Sequence, residues 1–291
     1  MDFTIVLKVN MKINNLHLRT RLKQKLFKKY GLRFLKIRQQ ELKGKIFEVV
    51  GMKITIDYET GWLLYLAKDV DIIFDVGCNT GQTAVLFNAF SKVKKIYLFE
   101  PNPYALAICT ENAILNGFAD KIKIYKNCVS ETNNKEILFY TVLAGAAGSV
   151  QSDMAKTASH LNESYKTMSI TLDEVIKNEK VIPDLVKIDV EGHEYKVLCG
   201  SKDLIKRKKT KFIVEMHSSS MLSMIENGTR IINFAKLYDY RVIYLSEMIF
   251  LDDASPIQHR GRCHLLLTPP DYRNIDQELK KIRQNALPPN L

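Results

Sequence analysis

The sequence predicts an α/β fold: a mostly parallel sheet covered on both faces by helices and finished by an antiparallel edge pair. Three observations carry this. Short apolar runs bounded by turn residues recur at Ile72–Val76, Lys95–Phe99, Ile122–Tyr125, Leu185–Val190 and Phe212–Met216. Helix-patterned segments lie between them, at Gln82–Phe90, Pro103–Asn116, Leu172–Asn178, His193–Lys206 and Ser220–Leu237. Strands that are apolar throughout are buried on both faces, as in parallel sheets wrapped by crossover helices. The last segments break the alternation: Tyr240–Leu245 and Cys263–Thr268 have no helix between them and read as an antiparallel pair.

The N-terminal region is set apart by charge. The 291 residues carry 43 Lys and Arg against 32 Asp and Glu, a formal +11. Residues 1–46 hold 13 of the basic residues and only two acids, Asp2 and Glu41, so the other 245 residues are neutral with 30 charges of each sign. Leu18, Leu22 and Leu26, with Arg19, Arg21, Lys23, Lys25, Lys28 and Lys29 among them, predict a basic amphipathic helix from Asn14 to about Arg38, broken near Gly31. Such an arm packs its leucines on the main domain, or meets an anionic polymer or a membrane surface. The expected layout is therefore an arm over 1–46, a main domain over 47–268 and a tail over 269–291.

Composition excludes several classes. An apolar fraction of 46% with 26% charged residues is that of a globular chain, not of a disordered or collagen-like one. The five cysteines (Cys78, Cys109, Cys128, Cys199 and Cys263) are scattered, without the close pairs of a disulfide framework or zinc site, and suit a reducing compartment. No apolar run reaches the ~18 residues of a membrane span. Asp2, and the lack of a small-residue cleavage site, argue against a cleaved leader, so a cytoplasmic location is expected.

Within the main domain, Phe47–Asp57 reads as a hairpin turning at Gly51, and Gly61–Lys68 as a short helix. Residues 144–168, rich in Ala, Gly, Ser and Thr, read as a long loop, and loops of that length inside a compact domain tend to be functional. Pro269 and Pro270 end the fold, with a surface helix expected in the tail.

The strongest motif is Ile72-Ile-Phe-Asp75-Val-Gly77-Cys78-Asn79-Thr-Gly81, where a strand runs through an acid into a glycine turn and then a helix. Gly77 permits a tight turn and close approach of a ligand to the backbone, and Gly81 lets the turn pack on the helix that follows. The G-x-G-x-x-G of a nicotinamide dinucleotide site is absent, because Asn79 stands two residues after Gly77. The D-x-G-x-x-x-G spacing instead suits S-adenosyl-L-methionine, which needs no pyrophosphate cradle.

Glu100 and Asn102, in Phe99-Glu-Pro-Asn-Pro103, close the next strand at the place where an acid accepts two hydrogen bonds from a ribose diol. The same acid could simply cap a strand-to-helix turn. Asn127 and Cys128 follow the third strand, where adenine would lie, and a turn asparagine explains them equally well. Lys187-Ile-Asp189-Val-Glu191-Gly-His193-Glu194 ends the fourth strand, and Glu215-Met-His217 ends the fifth. Ligand clefts of open α/β sheets lie beyond these carboxyl ends, so Asp189, Glu191, His193, Glu215 and His217 are candidate catalytic residues. The plain alternatives are a turn role for Asp189, a helix start at His193 and an ion pair of Glu215 with Lys187.

Together these segments resemble the FkbM family of S-adenosylmethionine-dependent methyltransferases over about residues 47–268. The resemblance rests on Phe-Asp-Val-Gly-Cys-Asn-Thr-Gly-Gln (74–82), Phe-Glu-Pro-Asn-Pro (99–103), Ser-Ile-Thr-Leu-Asp-Glu-Val (169–175) and Leu-Val-Lys-Ile-Asp-Val-Glu-Gly-His-Glu (185–194), the last being the most specific. Cys78 replaces the family's usual alanine, small for small. The resemblance implies a class I (Rossmann-like) methyltransferase fold, a mostly parallel seven-stranded sheet with an antiparallel edge strand. It also implies O-methylation of a hydroxyl on a sugar, glycoconjugate or hydroxylated natural product. Cofactor contacts are expected from Asp75, Gly77, Cys78, Asn79, Gly81, Glu100, Asn102, Asn127 and Cys128.

An alcohol needs a base to take its proton as the new bond forms. Asp189 and His193 are the first candidates, with Glu191, Glu215 and His217 assisting or orienting. No metal is required by this scheme; a Mg²⁺-assisted version through Asp189, Glu191 and Glu215 is the weaker alternative. Two other classes stay open: an RNA-directed methyltransferase using the basic arm, and a non-catalytic binding module or oxidoreductase on the same fold.

Overall fold

The computed structural model describes residues 36–282 apart from 52, 142–147, 156, 157, 159–162, 273 and 274, together with Pro288. Residues 14–35 of the expected basic helix lie outside the described residues. Its last part is a strand: β1 (Ile37–Leu42) pairs antiparallel with β2 (Lys45–Val50), bridging the boundary expected at 46/47. Lys43 and Gly44, both at positive φ, form the two-residue turn between them, as the twist of a tight hairpin requires. The hairpin expected around Gly51 is thus displaced by one strand. The reason is that Ile-Arg-Gln-Gln-Glu-Leu is almost wholly exposed and shows no apolar alternation.

The main sheet begins after α1 (Tyr58–Ala67), whose N-cap Asp57 accepts from the Thr60 amide. It is built from β3 (Ile72–Val76), α2 (Gln82–Phe90), β4 (Lys95–Phe99), α3 (Pro103–Leu115) and β5 (Ile122–Tyr125) on one side. After the small strands β6 (Cys128–Val129), β7 (Glu136–Tyr140) and β8 (Ser164–Ile170), the chain passes through α4 (Leu172–Glu179). It then re-enters the main sheet on the other side of β3 as β9 (Leu185–Ile188). There follow α5 (Glu194–Cys199), α6 (Lys202–Lys206), β10 (Lys211–His217), α7 (Met224–Leu237), β11 (Arg241–Tyr244), β12 (Ile249–Phe250), β13 (Arg262–Thr268) and α8 (Ile275–Leu279).

The eight strands run in the order β12-β11-β13-β10-β9-β3-β4-β5. Strands β5, β4, β3, β9 and β10 are parallel, and β13 is antiparallel to both β10 and β11. This is the mostly parallel sheet that was expected, with one difference from the expectation. The antiparallel strand is not at the edge: β13 inserts between β10 and β11, and the two-residue β12 is outermost. The short return from β11 makes β13 its antiparallel neighbour, and the open flank of β10 is the place that buries Leu265, Leu266 and Leu267 on both faces.

Alternate residues of each strand feed two cores. Ile73, Ile96, Leu98, Leu185 and Ile213 pack under α1, α2, α3 and α8, whereas Phe74, Tyr97, Phe99, Val186 and Phe212 pack under α4 to α7. The segment expected as loop over 144–168 ends in β8, which joins β6 and β7 in a three-stranded side sheet; its half-exposed face gives it the polar composition that masks a strand. The expected C-terminal surface helix is α8, and its Ile275 and Leu279 are buried in the first core instead.

Candidate active site

The order of the sheet puts a switch point at β3, whose neighbours β4 and β9 are reached by crossovers in opposite directions. A cleft must open beyond the carboxyl ends of these strands. It does: a hollow enclosing about 580 Å³, open to solvent, is lined by Gly77, Asn79, Glu100, Asn127, Cys128, Asp189, Glu191 and His193 among others. Five of the nine expected cofactor residues and three of the five expected catalytic ones thus share one wall.

The turn after β3 explains its glycines. Gly77 has φ +83, and a Cβ there would lie 1.8 Å from the Asp189 carbonyl oxygen, so only glycine lets β9 end this close to the turn. Gly81, at φ +75, is the N-cap of α2, and a Cβ on it would lie 2.5 Å from Cys109 Sγ. Glu100 is buried and accepts from the amides of Asn79 (3.1 Å) and Asn102 (2.8 Å). Burial raises its carboxyl to about 7 despite those two donors.

The other four expected cofactor residues are not among those that line this hollow. Cys78 turns its side chain into the core, and Asn102 caps α3 through the Tyr104 and Ala105 amides. Gly81 opens α2 as its N-cap. Asp75 is fully buried below the cleft wall, and neither of its oxygens has a hydrogen-bond partner. Burial raises it to about 6, against the pull of Lys187, whose Nζ is 3.8 Å from Oδ1. Lys187 also donates to Asp189 Oδ2 at 3.1 Å, and these two acids keep it charged although burial opposes that. Lys187 is therefore the partner of Asp75 and Asp189 rather than of Glu215.

Asp189 follows β9, and its side chain keeps about a quarter of its surface exposed. Glu191, in the left-handed region at φ +51, turns its carboxylate to within 3.6 Å of His217 Nε2. Burial raises the Glu191 carboxyl, and the His217 charge opposes it. His193 faces the same cleft but is held by Ser130, Oγ to Nε2 3.0 Å. Burial, then the Lys196 charge, lowers its imidazole to about 4, so it is neutral at pH 7 and a poor base.

His217 is the hub of the acidic cluster. Its Nδ1 is 3.1 Å from Glu194 Oε1, and its Nε2 lies 3.5, 3.6 and 4.0 Å from Glu215, Glu191 and Asp189. Burial pulls its pKa down, but the bonds to Glu194 and Glu215 and the Glu191 charge outweigh that and raise it to about 10. A group held protonated cannot act as the base; it keeps the surrounding carboxylates ionised. Glu215, at the end of β10, pairs with Arg262 (2.9 Å); burial pushes its carboxyl up, but the nearby imidazoles of His217 and His264 outweigh that and hold it well below the usual carboxylate range.

Glu194, Ser130, Arg262 and His264 are the residues that sequence reasoning missed. Glu194 stood inside the quoted 185–194 motif, three residues after Glu191, on the first turn of α5. No signal in the sequence links the other three to the cleft. Among the described residues, Asp189, Glu215 and His217 can bring one ligand atom each within 4.8 Å of one another, which replaces Glu191 by His217 in the expected Mg²⁺ set.

The 2-O-methyltransferase NoeI of Sinorhizobium fredii (strain NGR234) is 26% identical over 171 residues, 54% of this chain and 67% of that protein. The hexuronic acid methyltransferase AglP of Haloferax volcanii is 28% identical over 163 residues, 54% of this chain and 60% of that protein. A crystal structure of methyltransferase FkbM from Methylobacillus flagellatus KT is 15% identical with a TM-score of 0.43, covering 68% of this chain and 43% of that one. The methyltransferase FkbM domain matches residues 75–242, from the acid of β3 into β11 and more than half of the chain. The chain belongs to the FkbM methyltransferase domain family.

Proposed function

We propose that this protein transfers a methyl group from S-adenosylmethionine to a hydroxyl of a sugar or glycoconjugate. The observation that carries the reading is one cleft wall that joins a bare glycine turn and a buried, raised carboxylate to the two acids after β9. The lining suits the cofactor: Gly77, without a side chain, leaves the turn's backbone open to the cleft, and Glu100 places a carboxylate just after β4. Gly77, Asn79 and Glu100 would hold it, with Asn127 and Cys128 lining the adenine end. When bound, S-adenosylmethionine supplies an electrophilic methyl group on a sulfonium.

The remaining work falls to the chain. Asp189, fixed by Lys187, accepts a hydrogen bond from the acceptor hydroxyl and orients it. Glu191 takes the proton, because burial raises its carboxyl above the ordinary carboxylate range and makes it the stronger base. His217 stabilises both carboxylates, and neutral His193 completes the wall. The names of the two curated relatives, a 2-O-methyltransferase and a hexuronic acid methyltransferase, support a sugar acceptor. The +11 of residues 1–46 supports a contact of this arm with an anionic polymer or membrane surface. Among the described residues no helix is long and apolar enough to cross a membrane.

The test is a methyl-donor consumption assay against a panel of hexuronic acids, neutral sugars and oligosaccharides, with RNA as a contrasting acceptor. A new methyl ether on a sugar carbon, seen by NMR, supports the reading. Transfer to RNA alone overturns it.

A further inference from the structure

We propose that Glu59, Glu215 and His264 form a binding site for one divalent transition-metal ion, Mn²⁺ or Zn²⁺, at the far side of the acidic cluster from the methyl-transfer cleft.

The three residues come from distant parts of the chain. Glu59 lies in the first turn of α1, and Glu215 and His264 are direct cross-strand partners in β10 and β13. Partners opposite each other in an antiparallel pair place their side chains on the same face. His264 Nε2 lies 3.4 Å from Glu59 Oε2 and 3.6 Å from Glu215 Oε2. Metal–ligand bonds of ~2.1 Å in a tetrahedral site put neighbouring ligands ~3.4 Å apart, and the three ligand atoms here all lie within 4.8 Å of one another, close enough for one ion to draw them together.

A second feature points to a ligand. His264 is only 8% exposed, and its Nε2 is buried without a hydrogen-bond partner, aimed between the two carboxylates. An imidazole nitrogen beside two carboxylate oxygens is a donor set that suits Mn²⁺ or Zn²⁺ better than Mg²⁺, which favours oxygen. The surroundings hold the ligands as an outer shell would. Arg262 Nη1, at 2.9 Å, and His217 Nε2 engage the other oxygen of Glu215, Oε1, and leave Oε2 for the site. Trp62 packs against His264 with ring centroids 5.7 Å apart. Entry is available, because Glu59 also borders an open hollow of about 810 Å³ with Asp57, Thr60 and Gln82.

The neighbouring set of Asp189, Glu215 and His217 is the competitor. There Lys187 already serves Asp189, and His217 Nε2 is shared among three carboxylates. Among the described residues, Glu59 has no ion-pair partner other than His264.

The test uses the full chain freed of metal by chelation and titrated with Mn²⁺, followed by loss of the free-ion paramagnetic resonance signal, and with Zn²⁺ by calorimetry. No methyl transfer is measured, so failure here is separable from failure of the proposed function. One ion per chain is expected, with affinity reduced about tenfold or more in Glu59→Gln and His264→Gln and largely kept in Asp189→Asn. Circular dichroism and thermal unfolding identify any variant that has lost its fold, and Glu59→Gln, isosteric and partly exposed, is the decisive one. No binding of either ion at millimolar concentration overturns the proposal. So does binding that Asp189→Asn abolishes and Glu59→Gln leaves intact.

Discussion

Nδ1 of His217 lies 3.1 Å from Oε1 of Glu194, a carboxylate with no exposed surface. The same oxygen accepts from the Gly192 amide at 2.8 Å, and Oε2 accepts from Asn227 Nδ2 at 3.1 Å. Asn227 also donates to the His217 carbonyl. One buried acid therefore ties β10, α5, α7 and the turn bearing Glu191 and Gly192 into a single assembly. The geometry of the proposed base depends on it.

Removing the cation should be costly. His217→Gln leaves Glu194 and Glu215 buried without their shared partner, and a loss of ~3–5 kcal/mol in unfolding free energy is expected. The pH dependence has a definite sign. The folded pKa of His217 is raised from 6.5 to about 10, so its contribution is complete below pH 6.5 and lost as pH climbs through about 10. Glu215 is held low, so its contribution is present above its ordinary 4.5 and lost on acidification. Thermal unfolding of wild type and variant between about pH 2 and pH 11 checks both limbs.

Glu100 should govern cofactor affinity. Glu100→Gln keeps the shape and loses the charge, and hydrogen bonds to a charged group contribute ~1.5–3 kcal/mol, so affinity for S-adenosylmethionine should fall about ten- to hundredfold. Because burial raises Glu100 to about 7, wild-type affinity should strengthen as pH rises from 6 to 8, and the variant should lose that slope. Isothermal calorimetry at several pH values measures both effects.

Gly77→Ala brings a side chain into the space of the Asp189 carbonyl and forces a left-handed conformation on alanine. Strain of this kind costs ~1–3 kcal/mol before any clash is relieved. The variant should unfold at lower temperature and bind S-adenosylmethionine at least tenfold more weakly. An unchanged melting temperature would show that β9 can retreat from the turn.

Much of this was legible in the sequence. The strands Ile72–Val76, Lys95–Phe99 and Ile122–Tyr125 and the helix Gln82–Phe90 have the expected bounds, and the first two are buried on both faces and carry a nearly unbroken apolar signal. The cleft was legible from Gly77, Glu100 and Asp189, since position at a strand end fixes where a residue points. Half-exposed elements were not: β1 and β8 show polar faces to water and lose the pattern. The expected helix over His193–Lys206 divides at Gly200 into α5 and α6. A Cβ on Gly200 would lie 2.1 Å from the Ser130 carbonyl oxygen, a constraint imposed by a distant segment. Local surroundings also set two roles that the sequence does not show: burial makes His193 a weak base, while the carboxylates of Glu194, Glu215 and Glu191 outweigh burial and hold His217 as a cation.

The proposed base gives the most direct measurement: the pH–rate profile of methyl transfer from S-adenosylmethionine to a sugar acceptor, for wild type, Glu191→Gln and Asp189→Asn, with cofactor affinity measured alongside. Loss of a general base should lower kcat by ~10²–10⁴-fold in Glu191→Gln, with cofactor affinity within about twofold of wild type. Asp189→Asn should raise the acceptor KM as well as lower kcat. The wild-type rate should fall on acidification through a carboxyl raised above its ordinary 4.5, the direction in which burial moves Glu191. A Glu191→Gln enzyme with wild-type kcat and an unchanged acidic limb would contradict this assignment.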